Sequence, residues 1–309
     1  MTENRSIKFE AEVSSNSALA MMLKRKTSKK VSAPVKAPAP VHHDIGSIKV
    51  DPSLKADYFV NATGRTLDSF GYGTFQAAMM VGRVVSERPD QMTLATTPVE
   101  LYNSAIMMAN RIAHKYPKST VLVQSDFGYS VALASALYAR GCKSVYVRTK
   151  SFTRAEVYAG KHNEYQSFVE YGFGKLKRTL SQPKPVKADS VILNFTSHPV
   201  SMWPADQITA THIGVDHIID VPIKINTTLS AEKLRESVAA QVEKALEAYP
   251  TAFAAVIQGE WTAVTTAVPI LIRDNVRPLY GVADRNAMLA AGTKKYIFGG
   301  FREYMVCGR

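Results

Sequence analysis

The chain has 309 residues, 46% of them hydrophobic and 21% charged, with a formal net charge of +12 and two cysteines, Cys142 and Cys307. That composition is globular and the length suffices for two cored domains. Two cysteines with no ligand-like spacing exclude a disulfide framework and a zinc site, so no metal or cofactor is expected.

No apolar run approaches the ~20 residues of a membrane span. The stretch Leu19–Leu23 is too short for a signal-peptide core, so the expected compartment is the cytoplasm, or the host cytoplasm for a viral protein, with no membrane partner. Residues 1–50 carry nine Lys/Arg against four Asp/Glu, a balance of +5. Lys24, Arg25, Lys26, Lys29 and Lys30 form a basic run, and Pro34, Pro38 and Pro40 follow among Ala and Val. This reads as a disordered basic arm and linker, suited to the phosphate backbone of RNA or DNA.

Beyond the arm the sequence repeats. Lys55-Ala56-Asp57 returns as Lys187-Ala188-Asp189, and Asn61-Ala62-Thr63 as Asn194-Phe195-Thr196, 133 positions on. Leu101 answers to Leu234 and Tyr116-Pro117 to Tyr249-Pro250 at that offset; Val123-Gln124-Ser125-Asp126-Phe127 answers to Ile257-Gln258-Gly259-Glu260-Trp261, and Tyr146 to Tyr280, at 134. An offset that holds over ninety residues with only one-residue slips, from 132 to 134, is the mark of a duplication. It predicts two Rossmann-like α/β units, residues 51–180 and 188–309, joined by a linker at 181–187, and built as a monomeric pseudo-dimer or pairing as a homodimer.

In chain order, a buried strand (Tyr58–Ala62; Val191–Phe195) opens each unit. A helical stretch follows, with Phe75, Ala78, Met79 and Val85 near one face in the first copy and a shorter version around Pro204–Thr209 in the second. A second strand is expected at Met92–Thr96 and His217–Val221. Thr97-Pro98-Val99-Glu100 is a capping box with proline at the first helical position, and Ser230 caps the counterpart; both helices stop at a tyrosine before proline. A third strand (Thr120–Gln124; Phe253–Gln258), a helix and a fourth strand (Ser144–Arg148; Leu279–Val282) complete the unit. Pro269 predicts irregular or kinked first turns for the last helix of the second copy. Strands alternating with helices imply mostly parallel sheets.

In such sheets ligands bind beyond the carboxyl ends of the strands, near the switch point. The candidate ligand-binding residues are therefore Asn61, Thr63 and Arg65 with Asn194, Thr196 and His198 after strand one. After strand three they are Gln124, Ser125, Asp126 and Phe127 with Gln258, Gly259, Glu260 and Trp261. Arg65 suits a phosphate and His198 general acid–base catalysis; the glutamines suit an amide or base edge and the aromatics a stacked base. Other roles stand beside these. Asn61 and Asn194 equally suit tying down a turn, and Asp126 and Glu260 suit capping a helix.

The residues Val123-Gln124-Ser125-Asp126-Phe127-Gly128 and Val145-Tyr146-Val147-Arg148-Thr149, with Val191–Pro199, Ile257–Glu260 and Phe298–Tyr304 in the second copy, carry a resemblance. The chain resembles the small CRISPR-associated proteins related to the cyclic-oligoadenylate-sensing Rossmann-like (CARF) domains. That resemblance implies a nucleotide messenger as ligand, a cyclic oligoadenylate, bound as sponge or sensor, or cut by a ring nuclease of phosphodiesterase type. It also implies a two-fold pair of units around a two-fold ligand, which a tandem duplication supplies in one chain. Gly64-Arg65 replaces the family's histidine-containing loop in the first copy, and Glu260-Trp261 its Asp-Phe in the second. The alternative is a structural or nucleic-acid-associated protein, of a phage for example, that uses the basic arm and performs no small-molecule chemistry.

Overall fold

The computed structural model describes residues 56–61, 70–81, 84–85, 96–150, 163–173, 184–226, 229–293 and 296–307. All belong to one compact unit, Ile48–Arg309. The basic arm, including Lys24, Arg25, Lys26, Lys29 and Lys30, lies outside the described residues, as do Thr63 and Arg65.

The first half contains β1 (Tyr58–Asn61), α1 (Tyr72–Val81), β2 (Val84–Val85), α2 (Pro98–Lys115), β3 (Thr120–Gln124), α3 (Phe127–Ala139), β4 (Lys143–Lys150) and β5 (Glu164–Glu170). The second contains β6 (Val191–Asn194), α4 (Ala205–Thr209), β7 (Ile218–Asp220), α5 (Ala231–Ala248), β8 (Ala252–Val256), α6 (Trp261–Arg273), β9 (Arg277–Ala283), α7 (Arg285–Ala290) and β10 (Phe298–Glu303), with single 3-10 turns at Val200–Met202 and Val215–His217. The sheets run β2-β1-β3-β4-β5 and β7-β6-β8-β9-β10. These are one topology used twice: four parallel strands with an antiparallel fifth on the edge.

Local chemistry explains the matching helices. The Thr97 hydroxyl accepts from the Glu100 amide, and the Glu100 carboxylate accepts from the Thr97 amide at 2.8 Å, closing the capping box. Those bonds hold the Glu100 carboxyl below its ordinary range. Ser230 caps α5 through the Lys233 amide. The helices α3 and α6 both end in a left-handed residue, Gly141 (φ 78°) and Asn275 (φ 61°), the two residue types that bear that conformation most readily.

Three expectations are corrected. The second strand of the first half is Val84–Val85 rather than Met92–Thr96: Val85 pairs with Val60 in the sheet instead of lying on a helix, Thr96 is outside any strand, and Met92–Ala95 lie outside the described residues. The stretch between the predicted fourth strand and the linker, to which no element was assigned, contains β5, which pairs along β4 with one irregularity beside Arg148/Thr149; β10 pairs along β9 with its irregularity between Phe298 and Gly300. Tyr165 and Phe298 hold equivalent registers 133 positions apart, so the bulge itself is duplicated. Lastly, α6 is helical from Trp261 and runs through Pro269, which removes only the bond to the Thr265 carbonyl.

The halves are not strung apart. One apolar cluster joins Val60, Val121, Val123 and Tyr146 of the first sheet and Leu193, Ala255 and Tyr280 of the second with residues of α2, α3, α5 and α6. Ten consecutive residues of α3, Gly128–Leu137, are buried, and several are Ala, Ser or Gly, which lets neighbours approach from every side. Smaller clusters cover the outer faces: Phe59, Ala77, Ala78 and Leu122 in the first half, Val200, Trp203, Phe253 and Leu279 in the second. Among the described residues no helix is long and apolar enough to cross a membrane.

Candidate functional site

The loop after β6 is built around Asn194, which is fully buried. Its Nδ2 donates to the His198 carbonyl at 2.8 Å and to Asp220 Oδ1 at 2.7 Å; its Oδ1 accepts from the Thr196 amide at 3.1 Å and the Thr196 hydroxyl at 2.8 Å. Asp220 also accepts from the Val200 amide, and Trp203 Nε1 donates to the His198 carbonyl at 3.1 Å. Asn194 and Thr196 thus tie down the turn. The result is a pinned loop whose exposed residues are Ser197, His198 and Pro199. In the first half Asn61 is buried and faces Gln124 in register across β1 and β3.

After β3 and β8 the chain turns straight into α3 and α6. Asp126 Oδ1 accepts from the Tyr129 amide at 2.9 Å, and Glu260 Oε2 from the Ala263 amide at 3.0 Å. Each helix start therefore carries its own carboxylate, in the place that an anionic ligand would otherwise take. Ser125 is buried beside Asp126. Gln258 uses its amide as a piece of strand: Nε2 donates to the Gly281 carbonyl at 3.0 Å and Oε1 accepts from the Gly281 amide at 3.1 Å, extending the β8–β9 ladder past Val256. Gly259, at φ 131°, makes the turn that follows.

The two strand-three loops meet. The Phe127 and Trp261 rings lie 4.7 Å apart, and Trp261 also packs against Tyr146 and Tyr171 at 6.5 and 5.7 Å. Around this contact each half reaches into the other. The Tyr146 hydroxyl donates to Glu260 Oε1 at 2.6 Å and meets Thr262 Oγ1, while Arg148 Nη2 lies 3.4 Å from the same carboxylate oxygen. In return Tyr280 packs onto the start of α3 so closely that a Cβ at Gly128 would lie 2.0 Å from its hydroxyl.

Burial, reinforced by the negative Glu260 at Tyr146 and the negative Asp126 at Tyr280, pushes both phenols far above the ordinary tyrosine value. Both stay neutral at any physiological pH. The positive charge in the first exchange comes from Arg148 on β4; in the second it comes from Arg302 on β10, buried beside Tyr280. A second tyrosine backs each one: Tyr171 at 5.2 Å from Tyr146, and Tyr304 at 4.6 Å from Tyr280. The exchange is reciprocal, as in an isologous contact between identical subunits.

Sequence reading placed Tyr146 and Tyr280 in the repeat without giving them a role, and it missed Tyr171, Tyr304 and Arg302 as partners. The signal was present, since Tyr171 and Tyr304 are 133 apart. Among the described residues no group of three or more His, Cys, Asp or Glu could hold a metal ion.

Compared with known families, residues 190–298 match the model of the uncharacterized protein MJ1673 family, a span from just before β6 to the first residue of β10. No curated protein matches the chain.

Proposed function

We propose that the protein binds a nucleotide messenger of two-fold character, a cyclic oligoadenylate, at the paired strand-end loops of its two halves. The observation that carries this reading is the meeting of equivalent strand-three loops within one chain, Phe127 against Trp261 at 4.7 Å. A two-fold ligand needs two like loop sets at a fixed separation, and a shared core holds these rigidly. The pinned loop of the second half adds an exposed residue, His198, whose backbone carbonyl accepts from Asn194 Nδ2 and Trp203 Nε1. Calorimetry of the full chain against cyclic and linear oligoadenylates tests the reading: binding at micromolar affinity or better is expected, and no binding to any member would end it. Release of linear product, abolished in His198→Ala, would extend binding to ring-nuclease chemistry.

A second reading is favoured by the same residues being satisfied internally. Asp126 and Glu260 cap their own helices and Gln258 is bonded to Gly281. On that reading the fold serves structure alone and residues 1–50 contact nucleic acid. Binding to long RNA or DNA would then fall steeply with salt and vanish on deleting residues 1–50, while Gln124→Ala and Gln258→Ala leave it unchanged.

A further inference from the structure

The outer faces of the two sheets finish differently at their carboxyl ends. In the first half α1 presses directly on β4 and β5. A Cβ at Gly73 would lie 2.6 Å from Thr149 Cγ2 and 2.9 Å from both the Glu164 carbonyl carbon and the Tyr165 amide nitrogen. Gln76 Oε1 accepts from that same Tyr165 amide at 3.0 Å. Glycine alone permits this approach.

The residue 133 positions on from Gly73, at the same second place in α4, is Asp206. Its side chain forbids so close a contact, and its charge reaches Tyr296, whose phenol is raised by burial first and by Asp206 second. Tyr296 is 51% exposed, and its hydroxyl donates to the Val282 carbonyl at 3.2 Å. Below that hydroxyl lies Gly281, where a Cβ would come within 2.9 Å of Tyr296 Oη and 3.3 Å of Gln258 Oε1. The first half has Val147 in place of Gly281 and Asn163 in place of Tyr296. The second half therefore ends in a half-exposed aromatic ring tethered over Gly281, and the first half has a helix turn there.

We propose that Tyr296, seated by its hydroxyl over Gly281, is the stacking wall of a nucleobase subsite at the carboxyl edge of the second sheet, with Gln258 and Asp206 as its polar neighbours. The inference rests on the nucleotide-binding reading above and deepens it, because one half of the ligand is held by stacking and the other is not. A tyrosine fixed at its hydroxyl offers its ring face with little rotamer freedom left to lose. The Asp206 carboxylate accepts from an exocyclic amino group such as that of adenine. Gln258 keeps one N–H and one lone pair beyond its two bonds to Gly281.

The test is calorimetry of the full chain and its Tyr296→Ala and Tyr296→Trp variants with cyclic tetra-adenylate and cyclic hexa-adenylate. Loss of a stacked base should weaken binding about tenfold or more in Tyr296→Ala, with Tyr296→Trp within about threefold of the parent. Equal affinity of Tyr296→Ala and the parent overturns the inference and leaves the reading in place. A Tyr296→Trp variant as weak as Tyr296→Ala also overturns it, since tryptophan stacks at least as well. A parent chain that binds neither ring fails at the first titration and removes the reading and the inference together.

Discussion

The first and second halves share one topology, one helix length at α2 and α5, and one bulge, yet they solve the same contacts with different residues. Where Thr262 meets the incoming Tyr146, the first half has Gly128, which leaves room for Tyr280. Where Gly73 lets α1 lie on the sheet, the second half has Asp206 and a half-exposed Tyr296. The half-buried Glu260 carboxylate is balanced by Arg148 from the fourth strand in one exchange, and in the other Arg302 from the last strand supplies the positive charge beside Tyr280. Duplication made the scaffold symmetric, and later substitution was constrained by volume and charge at each contact rather than by position in the repeat.

Exchanging residues between the halves tests that account. Gly128→Thr places a side chain where Tyr280 already lies, and should destabilise the chain by about 3 kcal/mol or more, read from denaturant midpoints. The reverse exchange, Thr262→Gly, loses the hydrogen bonds to Tyr146 and Glu260 and adds a helical glycine, and should cost only about 2 kcal/mol. Equal costs would mean that the contact at Gly128 relaxes freely.

Glu260→Ala removes a helix cap and leaves Arg148, which is 11% exposed, without its counter-charge. A loss of about 3 kcal/mol is expected, against about 1–2 kcal/mol for Tyr146→Phe, which deletes the hydrogen bonds to Glu260 and Thr262. If the two losses are alike, the ion pair adds nothing to the exchange.

At the outer faces, Gly73→Ala should cost about 1–3 kcal/mol because its methyl meets backbone, whereas Asp206→Ala at the equivalent place should stay within about 0.5 kcal/mol. Thermal melts of the pair would show whether the second half has the open edge inferred for it. The smallest expected difference lies at the caps. Thr97→Ala breaks a reciprocal capping box and should cost about 1 kcal/mol; Ser230→Ala, with Lys233 in place of the box's glutamate, should cost about half as much.

Much of the fold was legible because the repeat and the helix signals agree. Thr97-Pro98-Val99-Glu100 and the Tyr-Pro stops act through neighbours three or four residues away, so α2 and α5 could be bounded within the sequence. The second strand of the first half went astray because Met92–Thr96 was judged on its own apolar run. The offset of 133 carries Val85 onto Ile218, which is where the strand lies. The fifth strand was missed in the same way: Tyr165–Glu170 is the counterpart of Phe298–Glu303, but its alternating pattern sits in a region of basic character.

The candidate site was legible in place and not in use. The carboxyl-end rule for parallel sheets located the loops after β1, β3, β6 and β8, and within them the carboxylates, the glutamine and the buried asparagine are bonded to the chain itself. Amide and carboxyl side chains bond to backbone or to ligand with the same geometry, so residue type alone does not separate the two.

By itself, then, the sequence determined that two like α/β units exist, where their central helices begin and end, and which loops lie at the carboxyl edge, since these depend on spacing and near neighbours. Only the tertiary structure decided that Tyr146 crosses to Glu260 and Tyr280 to Gly128, that the two cores are one, and that Tyr296 stands over Gly281. Those contacts join residues 15 to more than 150 positions apart, and nothing local in the chain records which distant side chain will fill the space beside a glycine.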